Sequence, residues 1–245
     1  MRWRGKCAYD GTNFFGWQSQ SGGNTIQDFL EARLHVIFKQ PVRVHSSGRT
    51  DSGVHAKEHV FHFDADWVHS TPELLRALRC GLPAGIQVYD IKRVSDKFHA
   101  RYSTKGKRYV YRFHRGYAPP MESRYTHSIG DRPVDVKAMQ EAAKYLVGEH
   151  DFSAFGAARE DNVKDNPNKN IWRVDILARG SKIRLITEGS GYLYKMVRSM
   201  AGTLLEVGLG KMEPTRVKEI LDSRVRSRLV VTAPSKGLCL ERVYY

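Results

Sequence analysis

The apolar pattern of this chain runs through one strand and helix order and then begins it again, and that repeat restricts the fold more than any other feature. Trp3–Tyr9 alternates as a strand and stops at the turn signal Asp10-Gly11. An aromatic, glycine-containing segment, Asn13–Gln20, leads into the flexible Ser21-Gly22-Gly23. Asn24 or Thr25 then caps a helix with Ile26, Phe29, Leu30, Leu34, Ile37 and Phe38 on one face, ended by Pro41. Strands are expected at Val42–Val44 and His59–Phe63, a helix from Thr71-Pro72-Glu73 with Leu74, Leu75 and Leu78 inward, and a strand at Ile86–Val94. The first order is therefore β-α-β-β-α-β.

Phe98–Lys105 links to the second round. A strand is expected at Gly106–Arg115, a helix over Val134–Val147, a polar loop from Arg159 to Asn170, and a hairpin of Trp172–Ala178 and Lys182–Thr187 about Arg179-Gly180-Ser181. A strong helix over Tyr192–Val207, an added helix at Pro214–Leu221 and a strand at Leu238–Tyr244 close the chain. The order repeats with one extra helix. It predicts an α/β (α+β) fold of two ferredoxin-like halves, near residues 1–100 and 101–245. Their antiparallel sheets are expected to pair or abut, with a central cleft as the natural place for a site.

Charge narrows the class of partner. Lys and Arg total 40 against 26 acidic residues, a formal charge of +14, which points to a polyanion and most simply to nucleic acid. Aromatics are interleaved with that charge most densely at Lys107-Arg108-Tyr109-Val110-Tyr111-Arg112. Such a run suits unpaired bases beside phosphates, and equally a strand with one buried aromatic face and one solvated basic face. Cys7, Cys80 and Cys239 are scattered singly, which fits a reducing compartment. The basic start of the chain leads into no apolar core of signal-peptide length, and no segment is apolar for long enough to span a membrane. A cytoplasmic protein is expected.

The densest chemistry sits in Ser46–Ala56, where Gly48 and Gly53 bracket a turn holding Arg49 and Asp51. A loop carboxylate of this kind serves as a nucleophile, a base or a metal ligand, or simply bonds local backbone as a turn residue. Spacing alone favours the turn residue. His55-Ala56-Lys57-Glu58-His59 also matches H-x-x-E-H, a zinc-hydrolase pattern that requires a helix. The alternation of Val60-Phe61-His62-Phe63 reads instead as a strand, in which the two histidines lie too far apart for one metal.

Gly48-Arg49-Thr50-Asp51-Ser52-Gly53-Val54-His55-Ala56 resembles the signature of the tRNA pseudouridine synthase A family, with Ser52 where that family usually has Ala. Tyr9-Asp10-Gly11-Thr12, Phe15-Gly16-Trp17-Gln18, Phe98-His99-Ala100-Arg101 and Lys107–Tyr111 are similar to family segments in the expected order. So are Gly148–Phe152, Gly191–Arg198 and Gly237-Leu238-Cys239-Leu240, so the likeness spans essentially the whole chain. At Lys169-Asn170 the chain departs from the Arg-Thr pair that many relatives carry.

The resemblance implies two related halves whose sheets join around a central cleft. It implies isomerisation of uridine to pseudouridine in the anticodon stem-loop of tRNA, at positions 38 to 40, by a homodimer in which one tRNA touches both subunits. No metal or organic cofactor is expected, because the reaction involves no net redox change. Carried onto this chain, Asp51 is the nucleophile, Tyr109 stacks on the base, and Arg198 pairs with the Asp51 carboxylate. Arg49 either orients Asp51 or holds the stem open where the base is flipped out. Lys107 and Arg108, with Lys105, Arg224, Arg226 and Arg228, are candidates for general tRNA contact.

Overall fold

The computed structural model describes residues 1–158 and 165–245. In chain order the strands and helices begin with β1 (Arg2–Tyr9), α1 (Ile26–Phe38), β2 (His45–Ser46), β3 (His55–Asp64), α2 (Thr71–Arg79) and β4 (Ile86–Val94). They continue with β5 (Gly106–His114), β6 (His127–Ser128), α3 (Val136–Lys144), β7 (Gly148–Asp151), β8 (Asn168–Arg179) and β9 (Lys182–Gly189). The chain closes with α4 (Met196–Gly208), α5 (Arg216–Ser223) and β10 (Leu238–Tyr244). The result is a mixed α/β, mostly antiparallel architecture. The chain divides into two compact units, residues 1–105 with 239–245, and residues 106–238. Among the described residues no helix is long and apolar enough to cross a membrane. The polar loop expected at Arg159–Asn170 falls outside the described residues over 159–164, and Asn168–Asn170 already belong to β8.

In the first unit β1 is central, antiparallel to β3 on one side (Trp3↔Phe63, Gly5↔Phe61, Cys7↔His59) and to β4 on the other (Tyr9↔Ile86). β10 runs parallel to β3 through Cys239↔His55 and Leu240↔Ala56. The odd residues of β1, with Phe61 and Phe63 of β3, give one sheet face its apolar character, because side chains alternate along a strand; the alternation of β3 is interrupted where the register shifts to Tyr9↔Ala56. Trp3, Cys7, Phe61 and Phe63 are buried, as are Ile26, Leu30 and Leu34 of α1 and Leu74 and Leu78 of α2. Helix α1 starts where the sequence predicts, since Thr25 and Asp28 form a reciprocal capping box (Asp28 N to Thr25 Oγ1 3.2 Å, Thr25 N to Asp28 Oδ2 3.1 Å). A cap of this kind contributes about 1 kcal/mol.

The strand expected at Val42–Val44 is displaced to β2. Val44 N donates to Glu31 Oε1 (2.9 Å) and Val44 O accepts from Gln27 Nε2 (3.3 Å), so side chains of α1 occupy the backbone groups that a ladder would need. Ladder pairing resumes only at His45↔His62.

In the second unit the strand order is β5-β9-β8-β7, antiparallel throughout, with β6 parallel to β5. Buried Tyr111, Phe113, Ile183 and Leu185 share the unit's core with Met139 of α3 and Met196, Met200 and Leu204 of α4. Gln140 Nε2 donates to Ile176 O (2.9 Å), fastening α3 to β8. Helix α4 begins later than its apolar spacing suggests. Lys195 has φ +60°, a left-handed conformation, so the turn before Met196 stands outside the helix.

Candidate active site

Asp51 lies half-buried in the loop between β2 and β3, and the shape of that loop is imposed by the segment that follows β1. Trp17 N donates to Thr50 O (3.1 Å), and Phe14 O accepts from Ser52 Oγ (3.2 Å) and from Gly53 N (3.4 Å). Val54 N closes the turn onto Asp51 O at 3.1 Å. Two glycines make the approach feasible. A Cβ at Gly11 would stand 2.0 Å from Val54 O, and one at Gly16 would stand 2.6 Å from Thr50 O. Gly16 also has φ +84°, which side chains resist. The backbone around Asp51 is therefore gripped before and after the carboxylate by backbone of residues 11–17.

Behind the loop the end of β1 is joined to β3. Tyr9 Oη meets Thr50 Oγ1 at 2.8 Å and His59 Nδ1 at 2.7 Å, and the His59 ring stacks on Trp17 with centroids 3.8 Å apart and planes 13° from parallel. His55 Nδ1 accepts from Gly11 N at 3.0 Å. His55 and His59 both lie on β3, four residues apart, which separates them by about 13 Å along a strand. Glu58 points to the other face and pairs with Lys6 at 2.9 Å. The H-x-x-E-H spacing thus does not form the helical constellation that zinc hydrolysis uses. Arg49 is exposed in the same loop as Asp51.

The remaining candidates sit in the second unit. Tyr109 pairs with Thr187 across β5 and β9 and is buried, its ring edge-on to Tyr192 at 5.2 Å. Tyr192 in turn bonds Thr187 Oγ1 through its hydroxyl at 3.0 Å. Tyr111, two residues on, is wholly buried and donates to Pro234 O (2.8 Å). Burial pushes its phenol well above the ordinary value, while the Arg198 charge pulls the other way, so that guanidinium lies within electrostatic reach of Tyr111. Arg198 is itself held against the segment before β10, its Nε donating to Ala233 O (2.8 Å) while Ala233 N donates to Arg198 O (3.0 Å). Lys107 and Arg108 are half-buried on β5; Arg108 lies 3.8 Å from Glu188, which Arg173 also approaches at 3.5 Å.

The basic run near 224–228 splits in two. Arg224 and Arg228 are exposed, whereas Arg226 reaches Phe155 O, Gly156 O, Ser199 Oγ and Thr232 Oγ1, the last at 2.7 Å. Its guanidinium ties internal segments together, and burial pulls its pKa below the usual value. Composition does not separate a cation of this kind from a surface one. Sequence reasoning also gave no part in the site to Tyr9, Gly11, Gly16 or Trp17, and weighed His59 only as a metal ligand. The available signal was a pair of glycines inside an aromatic segment directly after a strand, and it shows a tight turn without showing what the turn touches.

An apolar-cored α/β chain with a pinned Arg-Thr-Asp loop is matched by one family description, and that match defines the class as pseudouridine synthase, an isomerase. The profile described as tRNA pseudouridine synthase covers residues 7–103 and 142–245, and the chain belongs to this family. It is 40% identical over 238 residues to tRNA pseudouridine synthase A 2 of Clostridium perfringens, covering 97% of this chain and 96% of the relative. Likeness to tRNA pseudouridine synthase A of Bacillus licheniformis is 40% over 247 residues, covering 100% and 99% of the two chains. For the protein of that name from Halalkalibacterium halodurans it is 42% over 238 residues, covering 95% and 88%.

Proposed function

We propose that this protein isomerises uridine to pseudouridine at positions 38 to 40 of the tRNA anticodon stem-loop, with Asp51 as nucleophile and no cofactor. Family membership supports the reaction class. The observation that carries Asp51 is its place in an intact Gly48–Ala56 segment whose backbone is held by close contacts at Gly11 and Gly16. Isomerisation breaks the N1–C1′ bond and forms C5–C1′; C5 loses a proton and N1 gains one, so no electrons are exchanged. Attack by Asp51 on C6, attack on C1′, or removal of the 2′ proton to give a glycal each satisfies that balance. The detached base has to be held while it turns.

Tyr109 is proposed to stack on that base, Arg198 to pair with the Asp51 carboxylate, and Lys107 and Arg108 to meet phosphates. Arg49 either orients Asp51 or fills the space of the extruded base, whose flipping costs a few kcal/mol. An Arg49→Ala change that lowers kcat alone fits the first role, and one that raises KM fits the second. A homodimer acting in the cytoplasm completes the proposal.

Incubation with unmodified tRNA followed by mapping of pseudouridine tests the reading. Product at positions 38 to 40 is expected; product elsewhere reassigns the substrate. Asp51→Ala is expected to form no product while its folding and tRNA affinity stay near those of the parent. A variant that still forms product removes Asp51 from the nucleophile role. Binding is expected to weaken by about 10³-fold or more between 50 and 200 mM salt if six or more phosphates are contacted.

A further inference from the structure

We infer that Tyr9 is a positioning residue for the reaction: its hydroxyl joins Thr50 to His59 so that Asp51 is presented in one orientation. The inference rests on Asp51 being the nucleophile.

Thr50 immediately precedes Asp51 and is buried, 7% exposed, although it belongs to a loop. It is held at two points. Its carbonyl accepts from Trp17 N at 3.1 Å, and its Oγ1 lies 2.8 Å from Tyr9 Oη. Both anchors lean on one ring, because His59 bonds Tyr9 Oη through Nδ1 at 2.7 Å and stacks on Trp17 at 3.8 Å. Tyr9 and His59 are 5% and 0% exposed, so the phenol, hydroxyl and imidazole make their bonds away from water, where geometry is most strictly kept. Fixing the carbonyl and the Oγ1 of Thr50 sets its backbone and χ1 angles, and so the plane of the peptide that leads into Asp51. The direction in which the Asp51 side chain leaves the loop follows from that plane. β1 and β3 are the rigid elements behind it, paired at Cys7↔His59 and Tyr9↔Ala56. A nucleophile carried on a loop gains its precision from a shell of this kind.

Tyr9→Phe removes the hydroxyl and keeps the ring that packs near Trp17 at 6.1 Å. Expected is a fall in kcat of about 10- to 100-fold, with KM for tRNA within about twofold of the parent, the size of loss that a misplaced reacting group produces. The melting temperature is expected to fall by no more than about 5 °C, with rates measured well below it. Thr50→Val, which deletes the other hydroxyl at nearly constant shape, should give the same split, and Thr50→Ser should recover most of the rate. The double change Tyr9→Phe with Thr50→Val should cost little more than either single change, because both break one link.

Parental kcat in Tyr9→Phe overturns the inference, as does a rate loss that tracks a lowered melting temperature or appears wholly in KM. Fully additive losses in the double variant also overturn it. Asp51→Ala measured alongside separates the two levels. If it is inactive while Tyr9→Phe is unimpaired, only the positioning role fails; if it is active, the nucleophile reading fails and the positioning role with it.

Discussion

His59 and His62 stand three residues apart on β3, therefore on opposite faces of the sheet, and both are buried, at 0% and 1% exposure. His59 meets a phenol and an indole, Tyr9 and Trp17, and through them the loop of Asp51. His62 meets other histidines. His45 stacks on it at 4.9 Å, His99 lies edge-on at 4.6 Å, and its Nδ1 accepts from Ala100 N at 3.1 Å. Burial, then the charges of His99, His45 and Arg2, push its pKa down to about 4, with Asp64 acting weakly the other way. Among the described residues no three His, Cys, Asp or Glu groups are arranged to hold a metal ion, these histidines included. One residue type on one strand thus does two different things. On the loop side an imidazole is part of a geometric brace; on the other side an imidazole kept neutral by its surroundings makes stability depend on pH.

The brace should be the less forgiving of the two. Gly11→Ala would set a methyl 2.0 Å from Val54 O and 2.6 Å from Val54 C, both backbone atoms with no rotamer to yield. Denaturant titration is expected to show a loss of about 3 kcal/mol, the upper end for overpacking, together with a rate lower by about 100-fold or more. Parental activity in this variant would mean that the Asp51 loop tolerates displacement, and the contrast between the two faces would collapse.

The opposite face should reveal itself through acid. The folded pKa of His62, about 4, lies below the ordinary 6.5, so between those values the unfolded chain binds a proton that the folded chain does not. Stability is therefore complete above about pH 6.5, declines as pH falls toward 4, and levels off below that, a loss on the order of 1–3 kcal/mol from this one group. Protonation would also remove the Nδ1 acceptor of Ala100 N. His62→Asn keeps an acceptor near that position without a titrating ring, so its stability should change less between pH 6.5 and 4, with parental activity at pH 8. An equally steep decline would assign the acid sensitivity to another group.

Much of the scaffold could be read from short-range signals. The cap of α1, the start of α2, the extent of β4 and the extent of β10 follow from residues within a few positions of each boundary. What escaped depends on distant partners. Val42–Val44 has strand character, yet its backbone is taken by Gln27 and Glu31. Tyr192–Lys195 continues the apolar spacing of α4, yet Lys195 turns left-handed, and no neighbouring residue announces it. The parallel pairing of β10 with β3 joins positions more than 180 residues apart. At the site, Asp51 stood out only through the likeness of a nine-residue segment, since spacing alone favoured a turn residue. The brace behind it was not legible because Tyr9, Gly11 and Trp17 meet Thr50 and Val54 about 40 residues on, and local pattern carries no record of such a contact.

The finest distinction lies within the His62 cluster, where burial and neighbouring charge act in the same direction. Burial is the larger cause, and the exposed His45 is one of the smaller ones. His45→Ala removes that charge and a stacked ring while leaving the strand pairing of His62 with Arg4 in place. The His62 ring, followed by proton NMR during an acid titration, is expected to titrate at a higher pH than in the parent but still clearly below 6.5. The gap between folded and unfolded values narrows, so the acid-induced loss of stability becomes slightly smaller, by some tenths of a kcal/mol. A return all the way to 6.5 would make the histidine neighbours, and not the enclosed position, responsible for the depressed value. No movement at all would mean that His45 does not reach His62 electrostatically, leaving His99 and Arg2 as the charges that matter. Either outcome would still leave the His59 face unaffected, because the pleat of β3 directs the two rings to opposite sides of the sheet.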